Sequence, residues 1–104
     1  MPVSEVRVAT LGQVTPGQPY PVEVEGKPLM LVRIGDEVHA LSAECSHQGG
    51  PLSEGMVSGT RVVCPWHGWR FDVRNGQCLF PTRGAAVTSY TVRIDGEQIL
   101  VDLG

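Results

Sequence analysis

The feature that most limits how this chain can fold is a pair of short motifs, each combining a cysteine with a histidine. Cys45 and His47 are separated by one residue, and Cys64 and His67 by two. Residues 48–63 separate the two motifs. Each motif offers one soft sulfur and one borderline nitrogen from a single short loop. Two such loops placed face to face can give both sulfurs to one metal and both nitrogens to another.

The segments around these motifs resemble the Rieske [2Fe-2S] ferredoxin family, which includes the ferredoxins of ring-hydroxylating dioxygenases and the small subunit of assimilatory nitrite reductase. The matching segments are CSHQGGPLSEG and CPWHGWRFD, and the flanking strand pattern extends the likeness over nearly the whole chain. In a Rieske centre, two histidines replace two cysteines on one of the irons. The resemblance implies that Cys45 and Cys64 bind one iron and that His47 and His67 bind the other.

The resemblance also bears on the reduction potential. Respiratory Rieske proteins carry a disulfide between the two ligand loops, and the matching positions here are Gly50 and Trp66, which cannot form one. Those proteins also place serine and tyrosine hydroxyls near the cluster, where this chain has Trp69 and Phe71. Fewer hydrogen bonds to sulfur leave the reduced state less stabilised. We therefore predict a potential near the bottom of the Rieske range of about −150 to +300 mV.

A structural zinc ion is the competing interpretation, because two cysteines and two histidines are also a zinc ligand set. Zinc sites usually pair cysteine with cysteine and histidine with histidine, at spacings of two to five residues. Here each pair is mixed, and one intervening residue between Cys45 and His47 is short for ligands of a shared tetrahedral ion. The pattern favours an iron–sulfur cluster over zinc.

Length and composition predict one folded domain, residues 1–104, with a small core. The formal net charge is −3 and no cluster of Lys and Arg exists, which argues against nucleic acid as a partner. No segment approaches the length of a membrane span, so no membrane association is expected. Only Cys78 remains beside the two predicted ligand cysteines. Without an even set of cysteines for a disulfide framework, the predicted location is the reducing cytoplasm.

Short apolar segments alternate with glycine and proline along the chain, and no helical apolar period persists over three turns. Turns are predicted at Gly26 with Lys27, at Gly35 with Asp36, and at Asp95 with Gly96. The fold class is therefore all-β, an antiparallel barrel or sandwich, and the resemblance implies that it is of the Rieske type. A cluster-binding lobe, approximately residues 43–82, is inserted into it. The predicted strands are 3–9, 20–25, 29–34, 37–41, 89–94 and 98–102.

Glycines next to the predicted ligands, Gly49, Gly50 and Gly68, are expected to let backbone pass close to the cluster sulfides. Backbone N–H groups directed at sulfur stabilise an added electron, so the loop geometry tunes the potential. For Gly55 and Gly59, an ordinary role in turns is equally consistent with the sequence.

The remaining candidates are assigned structural roles first. His39 is expected to be a wall residue of a strand, and Cys78 a small buried side chain. Arg70 and Asp72 are expected in a charge pair or a turn. Two further features keep an alternative open. Trp66 and Trp69 either pack over the cluster or take part in docking, and Pro81 either matches a family loop that covers the cluster or is only a turn proline.

The predicted function is a soluble carrier of single electrons from a flavin reductase to a terminal oxygenase. The alternative is a fixed Rieske subunit of a larger oxidoreductase such as NAD(P)H nitrite reductase. No catalytic site is expected. A terminal oxygenase would need a mononuclear iron site with two more histidines and a carboxylate, and His39 is the only histidine left.

Overall fold

The computed structural model describes residues 5–46, 50–66 and 68–103, and these ranges contain ten β-strands and two single-turn 3₁₀ helices. The 3₁₀ helices are Leu11–Gln13 and Leu52–Glu54. Among the residues described, no helix is long and apolar enough for a membrane crossing. The strands are β1 (Glu5–Thr10), β2 (Tyr20–Val24), β3 (Lys27–Ile34), β4 (Glu37–Ser42), β5 (Met56–Ser58), β6 (Arg61–Val63), β7 (Arg70–Asp72), β8 (Cys78–Phe80), β9 (Ser89–Asp95) and β10 (Gln98–Asp102).

The strands form two antiparallel sheets. The larger sheet has six strands in the order β1-β10-β9-β4-β3-β2, and the smaller has four in the order β5-β6-β7-β8. The edge strands of the larger sheet, β1 and β2, approach each other, so that this sheet curls towards a barrel. The smaller sheet lies in the chain between β4 and β9, inside the predicted lobe. The predicted all-β barrel with an inserted lobe is confirmed.

Strand β3 explains how the two parts are joined. Its buried residues alternate between two hydrophobic clusters: Met30 and Val32 pack with residues of the four-stranded sheet, whereas Leu29 and Leu31 pack inside the six-stranded sheet. Successive side chains of a strand point to opposite faces, so a strand covered on both faces must be apolar throughout. The lobe is therefore held against the barrel by a shared apolar wall.

The predicted strands agree with the structure within one or two residues, but two of the three predicted turns were wrong by one position. Val24 pairs directly with Lys27, so the two loop residues are Glu25 and Gly26, both at positive φ (50° and 79°). This is the backbone that a tight two-residue hairpin requires. The last hairpin is shifted by one residue in the opposite direction, because Asp95 pairs with Gln98 and the loop is residues 96–97. The start of the first predicted strand, residues 3 and 4, lies outside the described residues.

Candidate metal centre

The two cysteine loops share one backbone arrangement. Cys45 follows β4, and its N–H donates to the carbonyl of Gly50 at 2.8 Å. Cys64 directly follows β6, and its N–H donates to the carbonyl of Trp69 at 2.7 Å. Each cysteine is thus tied to the carbonyl five residues further along the chain. The two loops are therefore closed by the same kind of backbone hydrogen bond, and each loop contains one cysteine.

The structure brings these loops together, face to face. A side chain at Gly50 would place its Cβ 3.1 Å from the Sγ of Cys64 and 3.1 Å from two ring carbons of Trp66. The backbone of the first loop therefore lies directly against the sulfur of the second. This contact also joins Gly50 and Trp66, the two positions that the resemblance matches to the disulfide of respiratory Rieske proteins.

Both thiols are withdrawn from water. Cys45 is 3% exposed and Cys64 is 1% exposed, and both belong to the hydrophobic cluster that includes Leu52, Val62 and Phe71. The N–H of Trp66 is directed at the Sγ of Cys64, with a nitrogen–sulfur distance of 3.4 Å. A buried sulfur that accepts an N–H suits a thiolate bound to metal, because the donor stabilises negative charge on sulfur. The described residues therefore fit the two-sulfur end of an iron–sulfur cluster.

Three predicted site residues, His47, Gly49 and His67, lie outside the described residues. Within residues 5–46, 50–66 and 68–103, no group of three or more His, Cys, Asp or Glu side chains is placed so that it could hold a metal ion. All three cysteines are described, and none is in a disulfide. The four-ligand assignment therefore stays a prediction for its two histidines.

The two tryptophans of the second loop occupy different positions. Trp66 is 45% exposed, whereas Trp69 is half-buried, packs against the lobe's core and has its ring 6.4 Å from that of Phe71. Gly68, between them, has a φ of +72°, and nothing described lies within 4 Å of a Cβ built on it. Gly68 therefore provides the positive φ that this turn adopts.

Asp72 pairs with Arg74. The Arg74 side chain donates to both carboxylate oxygens, at 3.0 and 2.8 Å, and its backbone N–H donates to Oδ1 at 2.9 Å. These hydrogen bonds, chiefly the side-chain ones, hold the pKa of Asp72 below its ordinary value, against an opposing effect of burial. The expected charge pair or turn is confirmed for Asp72. It was wrong for Arg70, whose guanidinium lies 5.5 Å from the ring centre of Phe80.

A third segment reaches the first cysteine loop. The hydroxyl of Ser46 donates to the carbonyl of Ala85 at 2.6 Å, across 39 positions of sequence. In the same region the thiol of Cys78, which is buried as expected, donates to the carbonyl of Pro81 at 3.2 Å. Sequence reasoning missed Ser46. The only available signal was its position between two predicted ligands.

His39 is half-buried, with its Nε2 3.4 Å from a carboxylate oxygen of Glu37. It lies on β4, where it pairs with Val32 of β3 in the middle of the larger sheet. This agrees with the wall position expected for it.

Comparison with known proteins gives consistent results. The model of the Rieske [2Fe-2S] domain family matches residues 4–98. The ferredoxin component of the naphthalene 1,2-dioxygenase system of Pseudomonas aeruginosa is 32% identical over 98 residues, which are 94% of each chain. Among solved structures, the ferredoxin of carbazole 1,9a-dioxygenase from Nocardioides aromaticivorans IC177 superposes with a TM-score of 0.90 at 42% identity, covering 95% of this chain and 97% of that one. A chain in the complex of reduced oxygenase and oxidised ferredoxin in carbazole 1,9a-dioxygenase gives a TM-score of 0.88 at 26% identity, over 97% and 94% of the two chains.

Proposed function

Because the chain belongs to the Rieske [2Fe-2S] domain family, we propose that it is a ferredoxin that carries single electrons from a flavin reductase to a terminal oxygenase. The observation that carries this proposal is the agreement over nearly the full length with ferredoxin components of dioxygenase systems. One of the matching structures is a complex of such a ferredoxin with its oxygenase. The alternative of a fixed subunit in a larger reductase has weaker support, because a protein named as a small subunit of NADPH nitrite reductase superposes with a TM-score of 0.82 but at 23% identity, which shows the fold alone.

The proposed cofactor is one [2Fe-2S] cluster, which accepts and releases one electron when bound. Cys45 and Cys64 would hold one iron through sulfur, since the structure places both thiols in one buried group. His47 and His67 would hold the other iron through ring nitrogens, and this half of the assignment rests on the resemblance of the two motifs. Neutral imidazoles in place of thiolates make the centre easier to reduce than an all-cysteine one.

The residues around the thiols have two functions. The apolar core beneath them, with Phe71 and Leu52 fully buried, excludes water from the sulfur side of the site. The backbone N–H of Trp66 donates a hydrogen bond to the sulfur of Cys64. Neither Trp69 nor Phe71 has a hydroxyl to add, which supports the proposal of a potential near the bottom of the Rieske range.

The protein is an electron-transfer component, and we propose that it catalyses no reaction of its own. A cytoplasmic location belongs to the same proposal. Its support is the cysteine usage, since the structure needs no disulfide and all three thiols are buried.

Iron and sulfide analysis of the purified protein, followed by a redox titration, tests the proposal. We expect two irons and two inorganic sulfides per chain, and a potential well below the upper end of the Rieske range. A matched pair of variants tests the ligands. Cys64→Ser should lose the cluster, whereas Cys78→Ala, which removes the third buried thiol of the lobe, should keep it. A single bound zinc ion, or equal iron content in the two variants, would contradict the assignment.

The carrier role is tested with purified flavin reductases and the oxygenase of an aromatic-ring dioxygenase system. Catalytic amounts of the protein should support electron flow from NADH through a reductase to the oxygenase, and the protein alone should turn over no aromatic substrate. If it is isolated only in a stable complex with a large reductase subunit, the fixed-subunit alternative is correct.

A further inference from the structure

Ser46 occupies the single position between two proposed ligands, Cys45 and His47, and its side chain points away from its own loop. Its hydroxyl donates to the carbonyl of Ala85 at 2.6 Å, which is short for a hydrogen bond between uncharged groups. We propose that Ser46 is a positioning residue: it fixes the first ligand loop to residues 81–87, here called the cover segment, and so restrains the backbone beside the proposed ligand Cys45. This inference rests on the proposed function.

The cover segment is itself firmly held, which makes it a suitable anchor. A Cβ added at Gly84 would lie 2.4 Å from the Sγ of Cys78 and 2.6 Å from a ring carbon of Trp69, so only glycine allows this close packing. The N–H of Gly84 donates to the carbonyl of Pro81 at 2.9 Å. The thiol of Cys78 donates to the same carbonyl at 3.2 Å. These contacts fix the segment beside the acceptor carbonyl.

The far end of the cover segment is tied as well. The N–H of Val87 donates to the carbonyl of Gly76 at 2.9 Å, and the N–H of Ser42 donates to that of Thr88 at 2.9 Å. The second bond leads back to the end of β4, just before the first ligand loop. The acceptor of Ser46 therefore lies on a segment that is fastened on both sides.

A serine side chain is short and has a single rotatable bond before its oxygen. Its hydrogen bond to a fixed carbonyl therefore restricts the backbone at Ser46, and that backbone connects directly to both neighbouring residues. The first loop is also tied by the bond from the N–H of Cys45 to the carbonyl of Gly50. Outer contacts of this kind orient metal ligands, and their loss weakens metal binding. Without the hydroxyl, this link between the loop and the cover segment is lost, and the proposed ligand Cys45 is held less firmly.

Three variants of the cluster-loaded protein test this role. Ser46→Ala removes the hydroxyl, Ser46→Thr keeps it, and Ser58→Ala makes the same deletion at another exposed position of the same lobe. In excess chelator, the visible absorbance of the cluster should decay about twofold to tenfold faster in Ser46→Ala, as one lost hydrogen bond implies. Ser46→Thr and Ser58→Ala should decay at the rate of the unmodified protein.

Two further measurements separate positioning from general stability. Hydrogen exchange of the amides of residues 82–86 should speed up in Ser46→Ala, while those of β3 and β10 stay protected. The electron paramagnetic resonance spectrum of the reduced cluster should change in Ser46→Ala and be restored in Ser46→Thr. Unchanged decay and an unchanged spectrum in Ser46→Ala would overturn the inference, and so would a defect that threonine does not restore. An unmodified protein that binds no cluster would instead overturn the proposed function.

Discussion

Replacing Gly50 by alanine is the sharpest test of the contact between the two cysteine loops. The new Cβ would lie 3.1 Å from the Sγ of Cys64 and 3.1 Å from the Cδ2 and Cε3 atoms of Trp66. Ordinary contacts between such atoms are about 3.5–4.0 Å, so each neighbour must move by a few tenths of an ångström. The Trp66 ring is 45% exposed and can turn outward, but Cys64 is 1% exposed and enclosed. The contact with the Sγ of Cys64 should therefore account for most of the lost stability.

Overpacking of this kind costs about 1–3 kcal/mol. For a domain of this size that lowers the thermal midpoint by about 5–20 °C. The matched control is Gly12→Ala, because a Cβ there meets nothing within 4 Å and the backbone is not left-handed. We expect Gly50→Ala to unfold at a lower temperature and to contain less iron per chain. Gly12→Ala should equal the unmodified protein in iron content and match or slightly exceed it in thermal midpoint, because alanine restricts the unfolded chain.

A double substitution checks which contact matters. If the sulfur contact limits the site, adding Trp66→Ala to Gly50→Ala should recover only part of the lost stability and iron content. Complete recovery would show that the tryptophan ring alone caused the defect. Equal midpoints for Gly50→Ala and the unmodified protein would refute the close approach of the two loops.

Further predictions concern the core and the ion pair of Asp72 with Arg74. Phe71→Ala removes the largest fully buried side chain and should cost about 3–5 kcal/mol, measured as a lower guanidinium midpoint; a loss under about 1 kcal/mol would contradict its place in the core. The pKa of Asp72 is lowered in the folded state, chiefly by hydrogen bonds from the Arg74 side chain. The pair therefore stabilises the fold at pH values above the ordinary carboxyl pKa of about 4. This stabilisation is lost as the pH falls further and the carboxylate becomes protonated. Asp72→Asn should therefore reduce stability by about 1 kcal/mol at pH 7, with the difference from the unmodified protein shrinking below pH 4; an undiminished difference at pH 3 would show that the carboxylate charge is not responsible.

The local sequence pattern was sufficient to predict most strands of the barrel. Apolar alternation and turn residues located its strands within one or two residues. The two misplaced turns share a cause, since the sequence shows which residues can turn but the register decides which two are unpaired. Glu25 was assigned to a strand because glutamate as a residue type does not indicate the positive φ that this residue adopts.

The lobe was predicted as a unit, but its four strands were not. Each has only three residues, which is too short for an alternating pattern to stand out. Arg70 was assigned to a turn or charge pair for a related reason. The residue that it contacts, Phe80, is ten positions away and is brought beside it by the pairing of β7 with β8.

The sequence alone determined the family and the all-β class, and it predicted the metal-binding residues, because these depend on residue chemistry at short spacing. Only the tertiary structure decided that Gly50 lies against the sulfur of Cys64 and that Ser46 bonds to a carbonyl 39 positions away. Such contacts depend on where separate loops meet after the two sheets have packed. Local patterns constrain neighbours along the chain, whereas the packing of the whole molecule selects partners across it.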